Sequence, residues 1–210
     1  MLILLFNLSD MNIIIIAVTI IISVIAFYNV QWMELLKFNA YKIKHDKQGW
    51  RFFSYALVHA GWFHLFINMW VLYSFGNIVL RTFGVYFGSK ATVYYLLLYV
   101  GGILFSILFD YGKQKNNIYY HAVGASGAVA AVVFATIIIY PSGGIYLFPI
   151  PFSIPSWLFG ILFLVYSAYM QKQGKSRIAH GAHFWGSVYG ILFTIITVPH
   201  VLESFFHQLF

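Results

Sequence analysis

Unbroken apolar runs of about 18 to 25 residues, the length that crosses the hydrocarbon of a bilayer, recur along this 210-residue sequence. Lipid offers the backbone no hydrogen-bond partner, so each crossing segment must satisfy its own N–H and C=O groups, and a helix does so. A barrel would show strands of about 10 residues alternating in polarity, a pattern missing here. Only 8% of the residues are charged and 61% are hydrophobic, whereas a soluble domain carries about a quarter charged. The sequence therefore predicts an all-α, polytopic membrane protein forming a single domain over residues 1–210. Six spans are expected, at about 11–28, 54–79, 91–109, 122–140, 151–170 and 179–198. Lys90 and Asp110 bound the third, Pro141 stops the fourth, Pro149, Pro151 and Pro155 lead into the fifth, and Pro199 stops the sixth. The start, Asn7-Leu8-Ser9-Asp10, lacks the basic residues of a signal peptide, so the first run reads as a retained span.

There are no cysteines, which removes disulfides, thiolate chemistry and cysteine-bound zinc. The net charge is +7, but the basic residues are scattered through loops and form no nucleic-acid patch; they read as membrane-flanking charges. Segment 30–53 mixes Trp32, Leu35, Leu36 and Phe38 with Glu34, Lys37, Lys42, Lys44 and Lys47. Two readings stand for it: a chain lying in the membrane interface, or a solvated loop. Lys37, Lys42, Lys44, Lys47, Arg51, Lys113, Lys115, Lys172, Lys175 and Arg177 all lie in odd-numbered loops, against Arg81 and Lys90 on the other side. Positive-inside counting alone puts the odd loops in the cytoplasm.

Polar side chains within spans are costly and are candidates for function. His64 and Asn68 are four apart and share a helix face; they are either interhelical glue or donors aimed at one point. In Val123-Gly124-Ala125-Ser126-Gly127, small residues favour close helix packing and serine favours a helix start. The chemical reading is that flanking glycines let a substrate backbone reach the Ser126 hydroxyl, while the helix start offers free amides to developing negative charge. His183, Gly186 and Gly190 follow at i, i+3 and i+7 on one stripe. The Gly186–Gly190 pair invites close contact with the small-residue face of the fourth span, which would carry His183 toward Ser126. None of Asp10, Glu34, Asp46, Asp110 and Glu203 falls within an expected span, so no carboxylate pair is available, and no His-Glu-x-x-His metal motif occurs. What remains is a Ser–His dyad, with the imidazole as general base.

Together, Trp50-Arg51, His64…Asn68, Gly124-Ala125-Ser126-Gly127, and Gly181-Ala182-His183 followed by Gly186 and Gly190 resemble the rhomboid family of intramembrane serine proteases. The resemblance covers the second through sixth spans. It implies a six-helix bundle of the bacterial type, resident in the inner membrane, with Ser126 as nucleophile and His183 as general base. It implies an oxyanion site made of His64, Asn68 and the Ser126 backbone N–H, with Gly124, Gly127, Gly186 and Gly190 as packing and motif glycines. It also implies His59 at the polar entrance, the fifth span as a mobile gate and loop 171–182 as a cap. Substrates would be single-span membrane proteins within the lipid, with no cofactor and no metal. The family topology, with the site open to the outside, opposes the charge count above. Two positions depart from the family pattern: Ala130 stands where many members carry an aromatic residue under the base, and Leu80 where many carry a loop glutamate. The alternatives are a haem or quinone protein of the bundle type, with a ligand pair drawn from His59, His64 and His183, and a non-catalytic rhomboid-like protein that binds transmembrane helices.

Overall fold

The computed structural model describes residues 8–147, 151–173 and 179–210. Asn7, Pro149, Lys175 and Arg177, and with them the middle of the expected cap loop, lie outside the described residues. The chain is mostly helical. Helix α1 (Leu8–Tyr28) is followed by three short helices, α2 (Val30–Leu36), α3 (Ala40–His45) and α4 (Arg51–Ser54). Then come α5 (Trp62–Phe87), α6 (Ala91–Gln114), α7 (Ser126–Ile139), α8 (Ser156–Gln173), α9 (His180–Thr197) and α10 (Val201–Leu209). Met11–Tyr28 and the Trp62–Gln114 run are long and apolar enough to cross a membrane, as are α9 and α10 taken together across their 109° bend.

Three local expectations are corrected. The second apolar run is not one helix from 54. A 3-10 turn (Tyr55–Leu57) and the extended Val58 precede Gly61, and α5 starts at Trp62 and continues to Phe87. Leu80 is consequently in the core of α5, 1% exposed, and not in a loop. The third helix runs past its expected end, so Asp110 lies within α6; its carboxylate accepts a hydrogen bond from the Tyr120 hydroxyl at 2.6 Å. The protein is also not wholly α. Gly144–Tyr146 (β1) pairs antiparallel with Ser153–Pro155 (β2), Ile145 opposite Ile154. Proline disfavours the helical region for the residue before it, so Pro155 keeps Ile154 extended and α8 begins only at Ser156.

Helix α7 is the axis of the bundle. Nearly all its side chains are buried, with α5, α6 and α9 packed around it. The small-residue stripe of α9 makes the closest approach. A Cβ at Gly186 would strike the Gly127 carbonyl, and one at Gly190 the Ala131 carbonyl. A Cβ at Gly102 would meet the Ala131 side chain at 3.0 Å, so α6 comes nearly as close on another face. Helix α1 is tied on by polar contacts. Asn12, wholly buried, donates to the Leu72 carbonyl (3.1 Å) and accepts from the Tyr95 hydroxyl (2.7 Å), linking α1, α5 and α6.

Segment 30–53 is a folded unit. Arg51, 2% exposed, donates through Nη1 to the carbonyls of Glu34 (2.9 Å) and Lys37 (2.6 Å) and through Nε to Gln48 (2.6 Å). Phe38 is fully buried, and its N–H and C=O pair with those of Ala122 at 2.9 and 3.2 Å. The unit is thereby stitched to the strand of chain that leads into Ser126.

Candidate active site

Ser126 is the first residue of α7. The opening amides of a helix have no intrahelical partner, so the N–H groups of the first turn point out beside the Ser126 hydroxyl. Gly124, two residues earlier, has φ +111°, a conformation L side chains rarely adopt, and a Cβ there would lie 2.6 Å from His64 Cε1. Both conditions demand glycine. The turn is held from outside by the Gly124 N–H donating to the Tyr55 carbonyl at 2.9 Å.

His183, in the first turn of α9, places Nε2 2.8 Å from Ser126 Oγ. This is hydrogen-bond distance, and a neutral imidazole protonated at Nδ1 accepts the serine proton there. The contact follows from the glycine stripe: with Gly186 and Gly190 against the backbone of α7, the next residue up that face reaches the start of α7. Among the described residues no carboxylate bonds His183, and Asp110 is engaged by Tyr120. The face of the imidazole is covered instead by Phe163 of α8, ring centroids 6.0 Å apart and planes 29° from parallel.

Ser126 and His183 line a cavity of about 730 Å³ together with His64 and Asn68. His64 Nδ1 accepts from the Ala60 N–H at 3.4 Å, which leaves Nε2 to carry the proton. Asn68 spends one amide hydrogen on the His64 carbonyl (2.8 Å) and keeps a second. Tyr120 and His121 stand at the polar side of the cavity, while Val129, Ala130, Val133, Phe134, Phe159 and Phe163 make it apolar on the other. An oxygen bearing negative charge near Ser126 thus has nearby donors, and an apolar chain has a wall to lie against.

His59 is not at the entrance. It is 0% exposed, beneath the turn that precedes Ser126. The Ser23 hydroxyl donates to the Leu57 carbonyl at 2.8 Å, so its oxygen is left to accept from His59 Nδ1 at 2.9 Å. Nε2 then accepts from the Ala125 N–H at 3.4 Å. Burial is the reason for the correction: with both nitrogens engaged in the interior, the ring faces protein and not the cavity. The same engagement leaves His59 no lone pair for a haem iron. Among the described residues no cluster of three potential metal ligands occurs. Sequence reasoning passed over Ser23, a serine in the isoleucine-rich part of α1, and Phe163. For Ser23 the available signal was a polar residue inside a span.

A family model described as Rhomboid domain matches residues 46–200. Two proteins of Arabidopsis thaliana are similar. RHOMBOID-like protein 2 is 36% identical over 88 residues, 42% of this chain and 25% of that protein. RHOMBOID-like protein 12, mitochondrial, is 30% identical over 144 residues, 63% of this chain and 41% of that protein. The matched regions span less than half of either relative, and both are plant proteins, so they lend no support to the bacterial inner membrane expected from the sequence.

Proposed function

The chain belongs to the rhomboid family, and from that premise we propose that it is an intramembrane serine endopeptidase cutting membrane-protein substrates in or near their transmembrane segments. The observation that carries this reading is the 2.8 Å contact between Ser126 Oγ and His183 Nε2 inside a cavity also lined by His64 and Asn68. Helices α1, α5, α6, α7, α8 and α9 are read as six spans of one membrane domain. Helix α7 has 14 residues, about 21 Å at 1.5 Å per residue, against a hydrocarbon thickness of about 30 Å. If its far end reaches one membrane face, Ser126 sits roughly 10 Å below the other. Trp32, Leu35, Trp50 and Phe53 are all exposed, which supports the interfacial placement of segment 30–53 over a solvated loop.

The chemistry follows from the groups. Ser126 Oγ attacks the scissile carbonyl carbon as its proton passes to His183 Nε2. The carbonyl oxygen takes the negative charge and is held by the Ser126 N–H, His64 Nε2–H and the Asn68 amide. The C–N bond then breaks, and Nε2 gives the proton to the leaving amine. Water, deprotonated by the same nitrogen, releases the acyl group from Ser126. No cofactor enters any step.

The test is cleavage of a model single-span substrate in liposomes by wild type and Ser126→Ala side by side. Wild type should cleave, with Ser126→Ala silent, and a fluorophosphonate should label wild type only. A wild type that binds the substrate but neither cleaves it nor takes the label makes the protein a helix-binding, non-catalytic member of the family.

A further inference from the structure

The hydrogen bond to Ser126 fixes one atom of the His183 ring and leaves the ring plane undetermined, because the terminal torsion of histidine has a broad minimum. A second contact must hold the plane. Residues four apart on a helix lie one above the other, so a side chain at position 130 of α7 would lie one turn from Ser126, on the face toward the imidazole. That residue is Ala130, which ends at Cβ and lines the open cavity. Phe163, from a different helix, takes the ring face instead, at 6.0 Å and 29°, within the range of offset aromatic pairs. Phe163 is itself gripped. Its ring meets Phe134 at 5.8 Å and 51°, and Phe159 at 5.7 Å and 34°. His180 closes the other approach, edge-on to His183 at 6.0 Å and 82°.

We infer that Phe163 of α8 is the positioning residue for His183, holding the imidazole plane toward Ser126 in place of a ring on α7. The inference rests on the reading of Ser126 and His183 as nucleophile and base. Helix α8 then has two duties, as a wall of the cavity and as the support of the base.

The experiment uses the full chain in liposomes with Phe163→Ala, Phe163→Leu, Phe163→Tyr and the double variant Ala130→Phe with Phe163→Ala. Initial rates are measured beside the ¹⁵N resonance of His183 Nε2, assigned by its absence from His183→Asn. That resonance reports the bond to Ser126 and responds little to the loss of a neighbouring ring. An aromatic pair is worth enough to lower kcat roughly two- to tenfold when lost. Phe163→Ala and Phe163→Leu should each show that loss with the Nε2 resonance displaced, and Phe163→Leu, which keeps an apolar wall, should change KM by less than about twofold. Phe163→Tyr should keep wild-type values. Ala130→Phe should return both rate and resonance toward wild type in the Phe163→Ala background, an effect that general weakening of the bundle would not give. Wild-type or faster turnover by Phe163→Leu with Nε2 unmoved overturns the inference. If wild type is no more active than Ser126→Ala, the protease reading fails separately, and the resonance alone decides whether Phe163 holds the ring.

Discussion

Replacing Ser23 with alanine measures how far α1 reaches into the site. The Ser23 hydroxyl is the only described partner of His59 Nδ1 and also donates to the Leu57 carbonyl. Ser23 and His59 are both wholly buried, so water cannot stand in for the lost oxygen. The variant strands the His59 N–H in the interior and removes one bond to a carbonyl. An unsatisfied buried donor costs about 1–3 kcal/mol and a lost neutral hydrogen bond about 0.5–1.5 kcal/mol, so a total near 2–4 kcal/mol is expected. His59 is then free to rotate, and the Ala125 N–H, adjacent to Ser126, loses the acceptor that braces it. Unfolding in a mixed-micelle SDS titration, followed by tryptophan fluorescence, should shift to lower SDS, with the extrapolated unfolding free energy lowered by that amount. Turnover under conditions where the variant is fully folded should also fall. Ser23→Thr keeps the hydroxyl and with it the brace on Ala125, so it should keep turnover even where its added methyl lowers stability. A Ser23→Ala protein as stable as wild type within about 0.5 kcal/mol, the range of a neutral surface change, and equally active would refute the bracing role.

Two further outcomes are expected. Gly186→Ala drives a methyl into the Gly127 carbonyl; overpacking of this kind costs about 1–3 kcal/mol, and by lifting α9 off α7 it should abolish fluorophosphonate labelling of Ser126 before the bundle unfolds. Labelling at the wild-type rate would show that the helix contact does not govern the Ser126–His183 distance. Asn68→Ala removes a donor needed only when the oxyanion forms, so steady-state cleavage should lose about 10²–10³ in kcat with little change in KM; a rise in KM at constant kcat would make Asn68 a substrate-binding group instead.

Much of this protein is legible in its residues because lipid leaves the backbone so few options. The apolar runs determine that helices cross a membrane, since no other open structure satisfies the backbone there. Helical periodicity puts His64 above Asn68 and strings His183, Gly186 and Gly190 on one stripe; the stripe names its partner, because two glycines can seat only against another small-residue backbone. Periodicity tells which way a residue faces on its own helix, and it does not tell what stands opposite. The family resemblance puts His59 at the entrance and the fold buries it, because its partners, Ser23 and Ala125, lie 36 and 66 residues away. Ala130 stands out only against the family pattern, and only the packing of α8 brings Phe163 beside the His183 ring. Likewise, the run that begins at 54 reads as one span by hydropathy, yet the chain must bend at Val58 and Gly61 to pass under the turn that carries Ser126. Each of these was decided by packing between helices distant in sequence, a quantity that burial and close contact set in three dimensions and that no local pattern of residues encodes.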